Sequence, residues 1–439
     1  MIMQTNRDFF KDWTRRDFLK VTGLATLLPV FNGAWASAQT KPDPKEPIQW
    51  LAQVFSAYEQ QVTEFQKATG YSAKTTLKDQ ISTNQTLLTG GNETFDVVSN
   101  TCSFWTPIQE KKVIKNVPVP DIPLWKKGEI ADLFFEPEKV IEKKWIAQAM
   151  TQFIYADPMK KDAFSLFPYI CNFDTIGYNP KHVDRVDSWG ALFDPKWKGR
   201  VALFDAPQLT LSSTAMYLVG AGLMGTPQRG EGDLTKEEVD QVVDFLIKKK
   251  QEGQFRTLWL SYGDLVNLLA SEEIWIADAW QPIVYDVRRA GTPCAYAEVK
   301  EGSNFWFGGM APTDPGGNDH LQAVYALMTF HLGGWFARFI QQYGYSTPAY
   351  PTEAVKKAMG PEYYGWAYEG KRTYQPVQEP HLFVPEKYPW SMEEGTPSPE
   401  GHRREGGSIE ERIKHIGSIE IWPTENQYYL EKWEEFRNA

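Results

Sequence analysis

Short apolar runs of strand length alternate with amphipathic helical patterns along most of this chain, and that alternation admits few architectures. DVVSN (96–100), RVALFD (200–205) and IWIADAW (274–280) read as buried strands. Between the last two, TKEEVDQVVDFLIKKKQEG reads as a helix. Thr235 and Glu238 have capping-box spacing, Val239, Val242, Val243 and Leu246 fall on one face, and Gly253 supplies the stop. A second helix is predicted over 282–290, ended by Gly291. A third is predicted over TENQYYLEKWEEF (424–436), with Thr424 as N-cap and Gln427 at N3. Strands alternating with helices predict an α/β fold. A chain of 439 residues, 42% of them hydrophobic, carries enough apolar surface for two or more domains.

The N-terminus stands apart from this pattern. Residues 14–20 read TRRDFLK, a mildly apolar run follows over 21–31, and AWA (34–36) and ASA (36–38) are small-x-small sites. Together these predict a twin-arginine export signal over residues 1–38 and a periplasmic location. The apolar run is too short to span a membrane, which takes roughly 20 residues. Twin-arginine substrates cross the membrane folded, so Cys102, Cys171 and Cys294 are expected to fold as reduced thiols.

Composition and motifs narrow the chemistry. Net charge is −10 and no basic stripe stands out, so nucleic acid is not an expected partner. The sequence has no GxSxG, HExxH, GxGxxG or P-loop. Its six histidines never fall at metal-ligand spacing, and its three cysteines form no CxxC. No metal site and no cofactor are expected, and no enzymatic activity. Carboxylates are numerous, so an acid pair of the glycosidase kind stays open as an alternative. One stretch asks for a ligand more directly. EGSNFWFGGMAP (301–312) sets Phe305, Trp306 and Phe307 against Gly308 and Gly309, a flat apolar wall beside two residues without side chains.

Several stretches, in order, resemble bacterial extracellular solute-binding proteins, in particular the spermidine/putrescine-binding components of ABC transporters. FPYICNFDTIGYNP (167–180) is similar to the family's Pro-Tyr…Gly-Tyr-Asn entry into the second lobe. SWGALFDPKWKGRVALFD (188–205) is similar to its Ser-Trp…Lys-Gly-Lys-Val run. AWQPIVYDVRRAGTP…VKEGSNFWFGGMAP (279–312) and YGYSTPAY (343–350) follow, with VTEFQKATG (62–70) and FDVV (95–98) upstream. The resemblance implies a two-lobed periplasmic-binding-protein fold with hinge strands and a central ligand cleft. It implies lobe 1 over 47–165 plus 302–345, and lobe 2 over 166–301 plus 346–390. Residues 391–439 would form a polar loop and a C-terminal helix, and 343–350 is a candidate third crossing between lobes.

The same resemblance places site residues. Trp280, Trp306 and Tyr345 match aromatic positions that line the relatives' polyamine box. The relatives' acids are lost. They fall at Gly308, Ala206 and Leu209, and a pocket tyrosine falls near Cys102. Asp278 shares a strand face with Trp280 and is the main candidate replacement, with Asp205 second. Asn100, near Cys102, and Gln281, next to Trp280, complete the expected set. Gly308 and Gly309 are expected to leave room for a bulkier ligand or for close backbone approach, or to relax the hinge. A buried ammonium without a carboxylate costs several kcal/mol, and a cation–π contact returns only about 0.5–2 kcal/mol. The expected function is a monomeric receptor that passes a small organic solute to an ABC permease. An amine is the leading ligand class, weakened by the missing acids. A zwitterionic or anionic solute is the alternative among receptors, and a carbohydrate-active hydrolase is the alternative outside them.

Overall fold

The computed structural model describes residues 46–372 and 403–439. The predicted export signal and the first part of the polar stretch 391–408 lie outside the described residues.

In chain order the strands are β1 Ile48–Gln53, β2 Ala73–Lys78, β3 Val97–Thr101, β4 Val117–Pro118, β5 Ala163–Phe164, β6 Phe167–Tyr178, β7 Val201–Phe204, β8 Phe255–Trp259, β9 Ile276–Ala279, β10 Ala295–Tyr296, β11 Ser303–Pro312 and β12 Ile416–Ile419. β4 and β5 pair on their own, and the other strands join in one sheet. Its main path runs β2-β1-β3-β11-β6-β9-β7-β8, with β10 added to β6 and β12 to β11. β1 is parallel to β2 and β3, and β7 is parallel to β8 and β9. The three predicted strands are β3, β7 and β9, close to their expected bounds.

β6 and β11 tie the two parallel units together. β6 is buried along its length except at Tyr178. Its first part pairs antiparallel with β11, and Thr175–Tyr178 pair antiparallel with β9. The far end of β11 pairs with β3. At about 3.3 Å per residue, β6 is roughly 40 Å long, enough to pass from one unit into the other. Each unit has its own core. One gathers Trp50, Phe65, Phe134, Phe307 and Phe336. The other gathers Trp189, Leu211, Val243, Leu246 and Trp433, with a neighbouring cluster around Trp259 and Ile283. The result is two α/β lobes joined by crossing strands.

The helix Lys236–Gln251 has the expected capping box. Glu238 Oε2 accepts from the Thr235 amide at 2.8 Å, and Thr235 Oγ1 accepts from the Glu238 amide at 3.4 Å. The helix buries Val239, Val242, Val243 and Leu246. The C-terminal helix differs from expectation. It spans Asn426–Asn438, and Thr424 is not its cap. The Thr424 amide and hydroxyl instead donate to Asp233, each at 2.8 Å, which pins the helix entry to the second lobe.

The lobe assignment after residue 345 also changes. Ala349, Val355, Met359, Tyr363 and Trp366 belong to the first lobe's core. The helix Glu353–Met359 packs on Gly334–Gln341, where a Cβ at Gly334 would lie 2.4 Å from the Ala354 carbonyl oxygen. The chain therefore stays in the first lobe after 343–350. The third crossing is made by the C-terminal segment. β12 pairs with β11, and the helix Asn426–Asn438 then enters the second core.

Candidate ligand cleft

Strand register brings the site together. Along β11, Asn304, Trp306 and Gly308 share one face, because side chains alternate. On β6, Asp174 stands opposite Asn304, Asn172 opposite Trp306, and Ile170 opposite Gly308. On β12, Ser418 stands opposite Asn304. The next amide, of Glu420, donates to the Phe305 carbonyl at 2.8 Å, so Glu420 arrives beside Trp306. The opposite face of β11 is apolar, with Phe305 against Phe134 and Phe173.

The aromatic wall is built from both lobes. Trp306 meets Phe55 edge-on at 5.6 Å and Tyr345 at 5.7 Å. Phe55 comes from the turn after β1, and Tyr58, the N-cap residue of the helix Glu59–Thr69, stacks on Tyr343 at 4.5 Å. In the second lobe, Trp280 packs edge-on against Trp259 and Phe204 and lies 6.5 Å from Tyr262. The Tyr262 hydroxyl donates to Asp286 at 2.6 Å. The lobes face each other here. Burial raises the Tyr58 hydroxyl well above its usual range, followed by Tyr345 and Tyr343, and then Tyr262 and Asp286 from the second lobe. No ring contact joins Trp280 to Trp306 among the described residues. Trp306 lies within β11 rather than at a strand end.

Two acids that sequence reasoning missed lie beside this wall. Asp174 is buried, and among the described residues its carboxylate oxygens form no ion pair and no hydrogen bond of good geometry. Burial holds it well above the usual carboxylate range, and Glu420 raises it further, with the Trp306 indole opposing. Glu420 is buried too, and its Oε2 accepts from Ser103 Oγ at 3.1 Å. Burial pushes Glu420 up to about 8. Asn304 Oδ1 and Asn172 Nδ2 are also buried without partners among the described residues. Unpaired buried polar atoms are rare in folded proteins, and here several lie on one face of the hinge ribbon.

The expected site residues divide. Tyr345 and Trp306 are in the wall, and Cys102 is next to Glu420, donating its thiol to the Glu420 carbonyl at 3.3 Å. Burial pushes that thiol far up, so it stays protonated. Asp278 is occupied. Its oxygens accept from the Phe204 amide at 2.9 and 3.0 Å and from the Trp259 indole at 2.9 Å, which fixes β7 and β8 and leaves little for a ligand. Asp205 is turned to the C-terminal helix, accepting from the Trp433 indole at 2.7 Å. Asn100 is satisfied by Asn84, Gln80 and the Thr101 amide. Gln281 accepts from Arg404 at 2.8 Å. The space at Gly308 is not empty. A Cβ there would lie 2.9 Å from Ile170 Cγ2, and one at Gly309 would lie 2.5 Å from Leu166. These glycines let β6 and β11 approach at a register shift and provide no ligand room.

A signal for Asp174 was present. In FPYICNFDTIGY, Asn172 and Asp174 are polar residues two apart inside an otherwise apolar strand. Glu420 has the same mark in IEIW, between Ile419 and Ile421.

Comparison with known proteins agrees with this architecture. The model of the bacterial extracellular solute-binding protein family matches residues 60–356. The spermidine/putrescine-binding periplasmic protein of Escherichia coli K12 is 25% identical over 198 residues, covering 44% of this chain and 52% of that protein. The match thus spans about half the length of the curated relatives. Among solved structures, the spermidine/putrescine ABC transporter substrate-binding protein PotD from Streptococcus pneumoniae superposes with a TM-score of 0.56 at 16% identity, covering 90% of this chain and 98% of that one. The Tp0655 (TpPotD) lipoprotein of Treponema pallidum gives 0.59 at 12% identity, covering 90% and 100%. At these identities the structures share the fold, and the family model covers well over half the chain. This protein belongs to the bacterial extracellular solute-binding protein family.

Proposed function

We propose that this protein is the periplasmic receptor of an ABC importer and that its solute carries an ammonium group. The cationic end sits at Asp174 and Glu420, and the apolar portion lies against Trp306, Tyr345 and Phe55. One observation carries this reading: Asp174 is a buried carboxylate with no cationic partner among the described residues, next to a second buried carboxylate and an aromatic wall. Two acids in low dielectric raise each other's pKa, and a bound cation reverses that penalty. The weakness expected from Gly308, Ala206 and Leu209 is offset, because β6 and the C-terminal segment supply acids at other positions. Polyamines are the favoured class, in keeping with the names of the curated relatives. The protein performs no chemistry on its solute and hands it to a membrane permease.

The test is titration calorimetry of the exported chain with putrescine and spermidine at pH 8. Micromolar binding, about −8 kcal/mol, is expected for at least one of them. Failure of both, together with an anionic solute identified by mass spectrometry of the native protein, would overturn the ammonium assignment.

A further inference from the structure

Residues 404–406 of the C-terminal segment bond to both lobes. Arg404 Nη2 donates to the Gly344 carbonyl at 2.6 Å and to Gln281 Oε1 at 2.8 Å, and Nη1 donates to the Ala367 carbonyl at 3.2 Å. Glu405 pairs with Arg288, and the Gly406 amide donates to Glu298 Oε1 at 2.9 Å. Ala367 and Tyr345, the residue after Gly344, belong to the first lobe's core. Gln281 opens the helix Gln281–Arg289, whose Ile283, Val284 and Val287 belong to the second lobe. The two acceptors shared by Nη2 are thus chain neighbours of the aromatic cleft residues. Gln281 follows Trp280, and Gly344 precedes Tyr345.

The contact is close. Arg404 is 1% exposed, and its guanidinium also lies over the Trp366 ring at 5.8 Å. Gly344 has φ +86°, and a Cβ there would lie 2.9 Å from Gln281 Oε1, so glycine lets the loop come this near the carboxamide. A planar guanidinium holds several acceptors at fixed angles, which a flexible ammonium does not. The acceptors here are neutral oxygens, and a buried charge held only by neutral groups is costly to stability. What Arg404 supplies is geometry. Arg412 gives the contrast. It is also buried, it lies over the Phe173 ring at 5.4 Å, and its Nη2 donates to the same Ala367 carbonyl at 2.8 Å. Its other hydrogen bond, at 3.4 Å, goes to the Ser408 carbonyl and not to Gln281.

We propose that Arg404 is a positioning residue for the solute cleft: by bonding Gln281 and Gly344 at once, it holds Trp280 and Tyr345 at a set spacing across the lobes. It acts on the solute through those two neighbours. A cleft already near its bound spacing loses less free energy to ordering when the solute arrives, so the staple strengthens binding. The proposal needs a solute cleft between the lobes and is independent of the ammonium reading.

Pulsed dipolar electron paramagnetic resonance on the ligand-free full chain tests the spacing, with spin labels on Met159→Cys in the first lobe and Leu223→Cys in the second. Both positions are exposed, and the native thiols are buried. Arg404→Met should broaden the interlobe distance distribution, and Arg404→Lys should recover part of the wild-type width. Gln281→Met removes the second-lobe acceptor and keeps the bulk. It should broaden the distribution too, and it decides the matter if Arg404→Met does not fold. Arg412→Met is the control. It removes a buried guanidinium from the same carbonyl, so it should lower the melting temperature and leave the distribution unchanged. Calorimetry with spermidine should show about tenfold weaker binding in Arg404→Met and Gln281→Met, because the added looseness must be removed on binding. If wild-type protein does not bind spermidine, the ammonium reading fails and the distance measurement still decides the role of Arg404. An unchanged distribution in both Arg404→Met and Gln281→Met would overturn the proposal, and so would equal broadening in Arg412→Met.

Discussion

Ser103, just beyond β3, donates to Oε2 of Glu420 at 3.1 Å, and that bond ties the C-terminal segment to the first lobe at the cleft wall. The Cys102 thiol adds a second tie, to the Glu420 carbonyl. Residue 420 lies beyond the region matched by the family model, which ends at 356. In the proposed site the tail is therefore part of the wall as well as a third crossing. Glu420→Gln keeps the shape and an oxygen for Ser103 while removing the charge, and Asp174→Asn does the same on β6. Each should weaken putrescine or spermidine by about a hundredfold, ~3 kcal/mol, as for other buried charge partners. Calorimetry reads the loss, and a circular-dichroism melt at pH 5 should show both variants folded. Wild-type affinity in both would remove the acids from the site.

Binding of the amine should depend on pH in a direction set by these acids. In the empty protein Glu420 is pushed up to about 8, and Asp174 is raised as well. Below that range the pair holds protons that an ammonium must displace. Apparent affinity should therefore rise from pH 6 to pH 8, and binding should release protons. Calorimetry at pH 7 in buffers of different ionisation enthalpy measures the release. Proton uptake would contradict the assignment.

The same shifts predict the stability of the empty protein. A carboxyl group whose folded-state pKa is raised binds more protons in the folded state than in the unfolded one between the two values. Its contribution is full below the ordinary carboxylate range and declines as pH rises toward about 8. Urea melts of ligand-free protein should show stability falling across this window. Glu420→Gln should flatten the fall, since the neutral amide has no proton to lose. A wild-type slope that Glu420→Gln leaves unchanged would assign the effect to other groups.

The alternation of strands and helices was legible because each local signal agreed with the fold. Thr235, Glu238 and the valine face of Lys236–Gln251 lie within one helix, where no partner is needed to read them. The acids were not legible for a different reason. Whether Asp174 faces Trp306 depends on the β6–β11 register, and sequence spacing alone does not give a register between strands 130 residues apart. Asp278 misled because strand periodicity could not reveal that the Phe204 amide and the Trp259 indole occupy its oxygens. Thr424 misled in the same way. It has cap chemistry, and Asp233 from another part of the chain claims it.

Export is tested apart from the fold. The motif TRRDFLK ahead of a weak apolar run motivates replacing Arg15 and Arg16 together with lysine. Precursor should accumulate in the cytoplasm, read by fractionation and immunoblot. An unchanged periplasmic yield would remove the twin-arginine reading and leave the cleft assignments standing.

Gly308 offers a test of how this pocket differs from that of the relatives it resembles. The resemblance places their acid at this position, so introducing one with Gly308→Asp looks like a route to tighter polyamine binding. The geometry predicts the opposite. The new Cβ would lie 2.9 Å from Ile170 Cγ2, with the Asn100 carbonyl at 3.8 Å and the Trp306 ring also at 3.8 Å. Ile170 is fully buried between strands and has little freedom to retreat. Overpacking of this kind costs about 1–3 kcal/mol, and a third carboxylate beside Asp174 and Glu420 adds like-charge repulsion. Gly308→Asp should therefore lower the urea midpoint and should not strengthen spermidine. Gly308→Ala, which adds the Cβ without the charge, should show most of the stability loss and separates the steric cost from the electrostatic one. A stable Gly308→Asp protein with tighter polyamine binding would mean that β6 can shift to admit the side chain, and that the relatives' acid position remains usable here.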